Sequence, residues 1–373
     1  MKILLLGDYS NVHWTLAEGL RDNGHSVTVV SDGDSWKGYK RDISLKRYGN
    51  SKWNALQYLY KVVTIVNRLR GYDVVQIINP IFLQLKAERI YPFYHFLRKH
   101  NKSMFLGAFG MDHYWVKAGL DCETFKYSDF NIGKDTRCTE GENSIFIRDW
   151  LNGAKGQLNQ KIAYDCDGIV SGLYEYDRSY RPYFSDKMCF IPFPINSSSI
   201  TKKRRERHEK IRIFIGIQRE RHRYKGTDIM LNAAKRVVQQ YPSLCELICV
   251  ESVPYEKYQS LMDASDILLD QLYSYTPAMN ALLAMAKGLV VVGGGEPENY
   301  TILNEKELHP IINVFPSEES VYEALSNLIK RPERIPILSD QSIEYVKKHH
   351  DHHKVSLQYL DFWQKQILNK NEQ

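Results

Sequence analysis

Residues 264–295 read A-S-D-I-L-L-D-Q-L-Y-S-Y-T-P-A-M-N-A-L-L-A-M-A-K-G-L-V-V-V-G-G-G, and their pattern decides the fold. An apolar strand at 267–270, a helix opening at Thr276-Pro277, a second apolar strand at 289–293 and a glycine loop follow one another with short turns. That succession is the signature of a parallel βαβ arrangement. Thr276 can cap the free N–H groups of the helix, and Pro277 sacrifices no hydrogen bond at the first helical position. Upstream, the β-type run I-R-I-F-I-G (211–216) opens into a loop bearing Arg219 and Lys225, with a helix after Gly226. Two cations and a helix N-terminus gathered by parallel strands suit a diphosphate, which points to a nucleotide-sugar enzyme.

The alternation extends in both directions. The first half predicts strands at 2–6, 26–31, 73–78, 103–109, 167–171 and 189–194, with helices at 12–23, at 52–70, up to Lys99 and up to Tyr164. A stretch rich in Gly, Asp and Thr (117–143) reads as a long loop. The second half predicts strands at 211–216, 245–250, 267–270, 289–293 and 311–314. In its helix at 228–238, Ile229, Met230, Ala233, Ala234, Val237 and Val238 form one apolar stripe, as in a helix packed on a sheet. The charged run T-K-K-R-R-E-R-H-E-K (201–210) lies where a linker belongs. The chain therefore reads as α/β, with two Rossmann-like domains, 1–200 and 201–350, facing across a cleft, and a terminal segment at 351–373.

At 373 residues, two domains of ordinary size are the natural expectation. Hydrophobic content of 43% and charged content of 25% are those of a soluble globular protein. A formal charge of +6 suits anionic small molecules, an acidic membrane face or nucleic acid. M-K-I-L-L-L-G is too short for the apolar core of a signal peptide, and no run reaches the roughly 18 apolar residues of a spanning helix. The six cysteines include no C-x-x-C, and Cys245 and Cys249, four apart on a strand, can neither bond nor close a metal site. A reducing cytoplasm is the expected compartment.

On G-D-Y-S-N-V-H-W-T-L-A-E-G-L-R-D-N-G-H-S-V at the start, the Arg219…Lys225-Gly226 loop and the A-M-A-K-G helix end (284–288), nearly the whole chain resembles the GT-B glycosyltransferases. The resemblance is to the retaining family four (glycosyl transferases group 1) of bacterial polysaccharide and lipopolysaccharide assembly. It implies a hexosyltransferase-type enzyme that moves a sugar from a UDP- or GDP-sugar to a glycan or lipid-linked acceptor, with no metal and no further cofactor. It also implies that the last helix, with Leu357, Leu360, Phe362 and Trp363, crosses back to the first domain. By the same resemblance Arg219 and Lys225 hold the donor diphosphate, although the loop is about one residue longer than usual, so Arg221 or Arg223 could take the arginine's part.

The family's two glutamates, for sugar and ribose, fall here on Tyr275 and Leu283. Leu283 cannot bond a ribose and joins an apolar stripe with Met279, Leu282 and Ala286, which leaves Asn280, Glu296 or Glu298 as candidates. The N–H groups of Ala278 and Met279 would face the phosphates, and Gly294 and Gly295 would allow close backbone approach to a ligand. Val253 and Tyr255 occupy the place where such folds seat the base. In the first domain Gly7, Ser10, Asn11 and His13 lie between the first strand and helix without a G-x-G-x-x-G fingerprint, which weighs against a dinucleotide enzyme. Gly110, Asp112 and His113 follow a strand at its ligand edge and are the acceptor-side and catalytic candidates.

Rival readings are a GT-B-like sugar-nucleotide epimerase and a non-catalytic nucleotide-binding protein. K-K-R-R-E-R (202–207) alone does not make a nucleic-acid site, and no nucleic-acid partner is expected. K-K-H-H-D-H-H-K (347–354) sets His349 and His353 on one helical face, but the tract lies near the C-terminal end, where a junction between two terminal helices is expected, so no metal is assigned. The helix at 52–70 combines Trp53, Leu56, Leu59, Tyr60, Val63 and Val66 with Lys52, Lys61, Arg68 and Arg70. It can serve either as an ordinary core helix or as a peripheral contact with the anionic cytoplasmic face of the inner membrane.

Overall fold

The computed structural model describes residues 1–139, 142–200, 209–218 and 222–371. The chain forms two compact units. The first comprises Met1–Lys117, Phe146–Pro194 and His352–Gln373; the second comprises Ala118–Ile145 and Ile195–Asp351.

In the first unit the strands are β1 (Lys2–Leu6), β2 (Ser26–Ser31), β3 (Ile43–Ser44), β4 (Val74–Ile77) and β5 (Ser103–Ala108). A hairpin, β6 (Asn131–Ile132) and β7 (Asp135–Thr136), lies in the inserted segment, and β8 (Gly168–Ser171) and β9 (Met188–Phe190) complete the sheet. All pairings in that sheet are parallel, in the order β3-β2-β1-β4-β5-β8-β9. The order reverses between β1 and β4, which puts a ligand crevice at the carboxyl ends of those strands.

Helix α1 (Val12–Asp22) covers one face with Val12, Leu16, Ala17 and Leu20 buried. The last helix, His352–Asn371, packs on it, the Asn23 amide just past α1 donating to Ser356 Oγ at 2.9 Å, and also reaches the sheet, where Trp363 Nε1 donates to Gln76 Oε1 of β4 at 3.3 Å. Leu360, Phe362 and Trp363 are buried, while Leu357 stays exposed.

The second unit holds β10 (Ile211–Ile217), β11 (Cys245–Glu251), β12 (Ile267–Leu269), β13 (Val290–Gly293) and β14 (Ile312–Asn313). They form a parallel sheet of order β11-β10-β12-β13-β14, with its reversal between β10 and β12. The helix Thr227–Gln240 buries Met230, Ala233, Ala234 and Val237 on the sheet, the stripe its spacing predicts.

Four readings need correction. The expected loop at 117–143 contains the end of a helix (His113–Leu120) and the β6–β7 hairpin, and its residues from Ala118 group with the second unit, not with residues 1–200. Helix α2 (Lys52–Ile65) ends before 70 and has two apolar faces: Tyr58, Val62 and Ile65 are buried, whereas Trp53, Leu56, Tyr60 and Val63 are exposed. The helix expected at Thr276-Pro277 begins at Met279, with Ala278 as its N-cap and no side-chain cap. His349 ends one helix and His353 lies in the next, so they share no helical face.

Candidate functional site

In the second unit, the short helical turn His222–Lys225 follows β10, and Gly226 sits at φ 69°. Only glycine fits that point without strain, since a Cβ there would stand 2.6 Å from Leu272 Cβ. The Leu272 N–H donates to the Lys225 carbonyl at 2.9 Å, so Lys225 is fixed beside the loop that leaves β12. This is the ligand end of the strands where the order reverses. Arg219 and Arg221, the expected arginines, lie outside the described residues, as does the 201–208 part of the basic run.

Asp270, just past β12, is half-buried, and loss of solvent around its carboxyl raises it above the ordinary value despite the bond from Asn280 and the charge of Lys225. Asn280 donates to Asp270 at 2.9 Å and accepts from the Tyr258 hydroxyl at 3.0 Å. Its amide thus serves the protein's own polar cluster. Ala278 and Met279 open the helix whose first-turn N–H groups have no side-chain cap. Leu283 is only partly covered, and Thr276 is buried. Val253 is half-buried, and the hydroxyl of Tyr255 accepts from Gln259 at 2.9 Å.

The glycine loop differs from its expected use. A Cβ on Gly294 would collide with the Ser274 carbonyl, and one on Gly295 would come within 2.7 Å of Ile311. The close approach made possible is therefore to the protein itself. Glu296 accepts from the Tyr127 hydroxyl at 2.7 Å and from Asn313 at 2.8 Å, and pairs with Lys126 at 3.3 Å. Burial alone would raise its carboxyl, but these bonds outweigh burial and hold it below the usual value. Glu298 also pairs with Lys126 at 3.3 Å. Tyr275, in the place of the family's sugar glutamate, is buried, and its hydroxyl accepts from the Lys126 N–H at 2.7 Å.

In the first unit, the loop after β1 is strained: Ser10 and Asn11 adopt φ 52° and 71°, unusual for non-glycine residues. The Ser10 N–H donates to Asp34 at 2.9 Å, and Lys37 pairs with Asp34 at 2.6 Å. Asp8 accepts from the His13 N–H at 3.0 Å at the start of α1. The His13 Nδ1 meets the Gly7 carbonyl at 2.7 Å; a carbonyl only accepts, so Nδ1 carries the proton and Nε2 presents a lone pair.

Asp8 Oδ2 and His13 Nε2 are both buried with no hydrogen-bond partner among the described residues. Burial pushes the Asp8 carboxyl up to about 7 and the His13 imidazole down to about 3. A carboxyl held readier to keep its proton and a neutral imidazole thus lie at the carboxyl end of β1. Sequence reading singled out His13 but not Asp8, whose only signal was its place directly after a buried strand.

Asp112 and His113 are adjacent but bonded into their own unit. Asp112 caps the helix His113–Leu120 through the Trp115 N–H and accepts from the Tyr180 hydroxyl, both at 2.9 Å, and burial pushes it up to about 7. His113 donates from Nδ1 to the Trp150 carbonyl at 2.8 Å, and burial lowers its ring's pKa. Among the described residues no helix is long and apolar enough to cross a membrane.

No protein-family model matches the chain, and no curated protein matches it. Solved structures do. Sucrose-phosphate synthase from Thermosynechococcus elongatus matches at 12% identity and TM-score 0.65, over 99% of this chain and 100% of that one. WaaG, a glycosyltransferase involved in lipopolysaccharide biosynthesis, matches at 13% identity and TM-score 0.53, over 95% and 98%. UDP-GlcNAc 2-epimerase from Neisseria meningitidis, bound to UDP-GlcNAc, matches at 15% identity and TM-score 0.54, over 98% and 100%. The fold is GT-B, built from two Rossmann-like units.

Proposed function

We propose that the protein is a nucleotide-sugar-dependent glycosyltransferase that passes a hexose from a UDP- or GDP-sugar to a glycan or lipid-linked acceptor with retention, in assembly of a bacterial surface polysaccharide or lipopolysaccharide. The observation that carries this reading is Lys225, pinned between Gly226 and Leu272 at the strand-order reversal of the second unit. The hard step is departure of a nucleoside diphosphate from an anomeric carbon, with negative charge growing on the bridging oxygen. Lys225, Arg219 and the uncapped turn at Ala278 and Met279 are suited to stabilise that charge. At about 1.5–3 kcal/mol per charge-assisted bond, they need no metal. In the first unit, the buried Nε2 lone pair of His13 is suited to accept a hydrogen bond from a hydroxyl.

The likeness to an epimerase favours one rival, isomerisation of the nucleotide sugar without transfer. Incubation with UDP- and GDP-sugars, with and without added glycan acceptors, followed by chromatography, separates the two. Released UDP or GDP with a glycosylated acceptor supports transfer; an isomerised nucleotide sugar with no released nucleotide overturns it. We also propose that the exposed stripe of α2 rests on an anionic cytoplasmic membrane surface, where a lipid-linked acceptor resides.

A further inference from the structure

The segment Ala118–Ile145 comes from the first half of the chain yet builds part of the second unit. It has its own frame. The buried Asn131 amide donates to the Phe125 and Gly133 carbonyls at 2.9 and 3.0 Å, and that of Asn143 donates to the Asp129 and Arg137 carbonyls, both at 2.7 Å. From this frame side chains reach the loop of Lys225. Arg137, only 4% exposed, donates to the Arg223 carbonyl at 3.1 Å and to the carbonyls of Ser128 and Asp129, and its guanidinium lies 3.5 Å above the centre of the Tyr273 ring. Asp129 accepts from the Tyr224 hydroxyl at 2.6 Å.

We infer that Arg137 and Asp129 are positioning residues for the donor diphosphate: they clamp Arg223 and Tyr224 so that Lys225 is presented in the geometry a nucleoside diphosphate requires. This rests on the proposed donor role of Lys225. A lysine on a flexible stem loses entropy on ordering, and a displacement of about 1 Å can forfeit a large part of a site's effect. The turn at 222–225 is too short to hold itself, since a single helical turn fixes many dihedrals for one hydrogen bond. Its far side is fixed by Gly226 against Leu272. Its near side is fixed by the insert. Lys225 therefore lies between two anchors, one of them supplied by residues about 90 positions earlier in the chain. An arginine suits this task better than a lysine because one planar fork can bridge several carbonyls while stacking on a ring.

The test uses the full chain and calorimetry with UDP and GDP. Tyr224→Phe removes one hydroxyl and keeps the ring; it should weaken the tighter nucleotide about five- to tenfold, a part of the tenfold or more that one bond to a charged acceptor is worth, with the unliganded melting temperature little changed. Arg137→Ala should weaken it further, and Arg137→Lys should recover part of the loss by restoring a cation over Tyr273. Hydrogen exchange at Lys225, Gly226 and Thr227 should quicken in Tyr224→Phe while β10 and β12 stay protected, a local change that general destabilisation does not produce. Wild-type binding matched within twofold by Tyr224→Phe, with unchanged exchange, overturns the positioning role even if Arg137→Ala fails to fold. No nucleotide binding to the wild type instead overturns the donor assignment itself.

Discussion

Replacing Trp53 and Tyr60 of α2 by serine should detach the protein from anionic membranes without unfolding it. Trp53, Leu56, Tyr60 and Val63 are 65%, 57%, 72% and 53% exposed and recur at helical spacing on one stripe, while Tyr58, Val62 and Ile65 anchor the other face. Complete burial of such side chains is worth about 1.5–3 kcal/mol each, so the exposed halves of four could contribute roughly 4–6 kcal/mol at a bilayer surface. Residues 43–72 contain no Asp or Glu, and Lys46, Arg47, Lys52, Lys61, Arg68 and Arg70 add cations, each worth about 1 kcal/mol near anionic lipid. Trp53 and Tyr60 carry roughly half of the apolar share, about 2–3 kcal/mol, so the double variant should partition about 30- to 150-fold more weakly. Flotation with phosphatidylglycerol-rich and phosphatidylcholine vesicles at low and high salt measures this. Equal flotation of variant and wild type, or a wild type that ignores lipid charge, would refute the reasoning.

Lys225→Ala should weaken UDP or GDP binding about ten- to a hundredfold, the scale of one charge-assisted contact; unchanged calorimetric affinity removes the central assignment. Sugar transfer should persist in EDTA, and activity lost to the chelator and restored by manganese would contradict metal independence. Asp8, pushed up to about 7 by burial, contributes stability that is complete below its unfolded value near 4 and lost as pH rises through 7. Asp8→Asn should therefore flatten the fall in melting temperature over that window, and an unaltered slope counts against its burial as the cause. Glu305 behaves oppositely: burial raises its carboxyl, but bonds from His349, Lys348 and the N–H groups of Glu307 and Leu308 outweigh burial and hold it far below its ordinary value. Its contribution is present above the unfolded value near 4.3 and lost on acidification through the folded value, so Glu305→Gln should be less stable at pH 7 and show a shallower acid limb in thermal melts.

The parallel sheets were legible because their strands are continuous apolar runs separated by helices of period 3.6, and the helix start after Gly226 was legible because glycine is a favoured N-cap residue. The place of 118–145 was not. Its sequence is polar and aperiodic, and Lys126 and Tyr127 find their partners Tyr275 and Glu296 about 150–170 residues away, a separation that local propensity does not encode. The same blindness explains the glycine loop and Asn280. Composition signals close approach or hydrogen-bonding capacity, but Gly294 approaches Ser274 and Asn280 serves Asp270 and Tyr258. Thr276-Pro277 has the chemistry of a helix start, yet Thr276 is buried and the helix begins two residues after the proline.

The interleaving of the two units governs how the protein can be made. When the ribosome has finished β9, the first unit still lacks the helix His352–Asn371, so α1 waits with its surface for Ser356 bare until that helix is made. Residues 118–145 must likewise wait for strands not yet translated. Folding domain by domain from the N-terminus therefore cannot complete the first unit before residues 352–371 are made, nor the second before residues 195–351 join 118–145. A gene fusion that separates residues 118–145 from 195–351 would divide a single compact unit between two polypeptides.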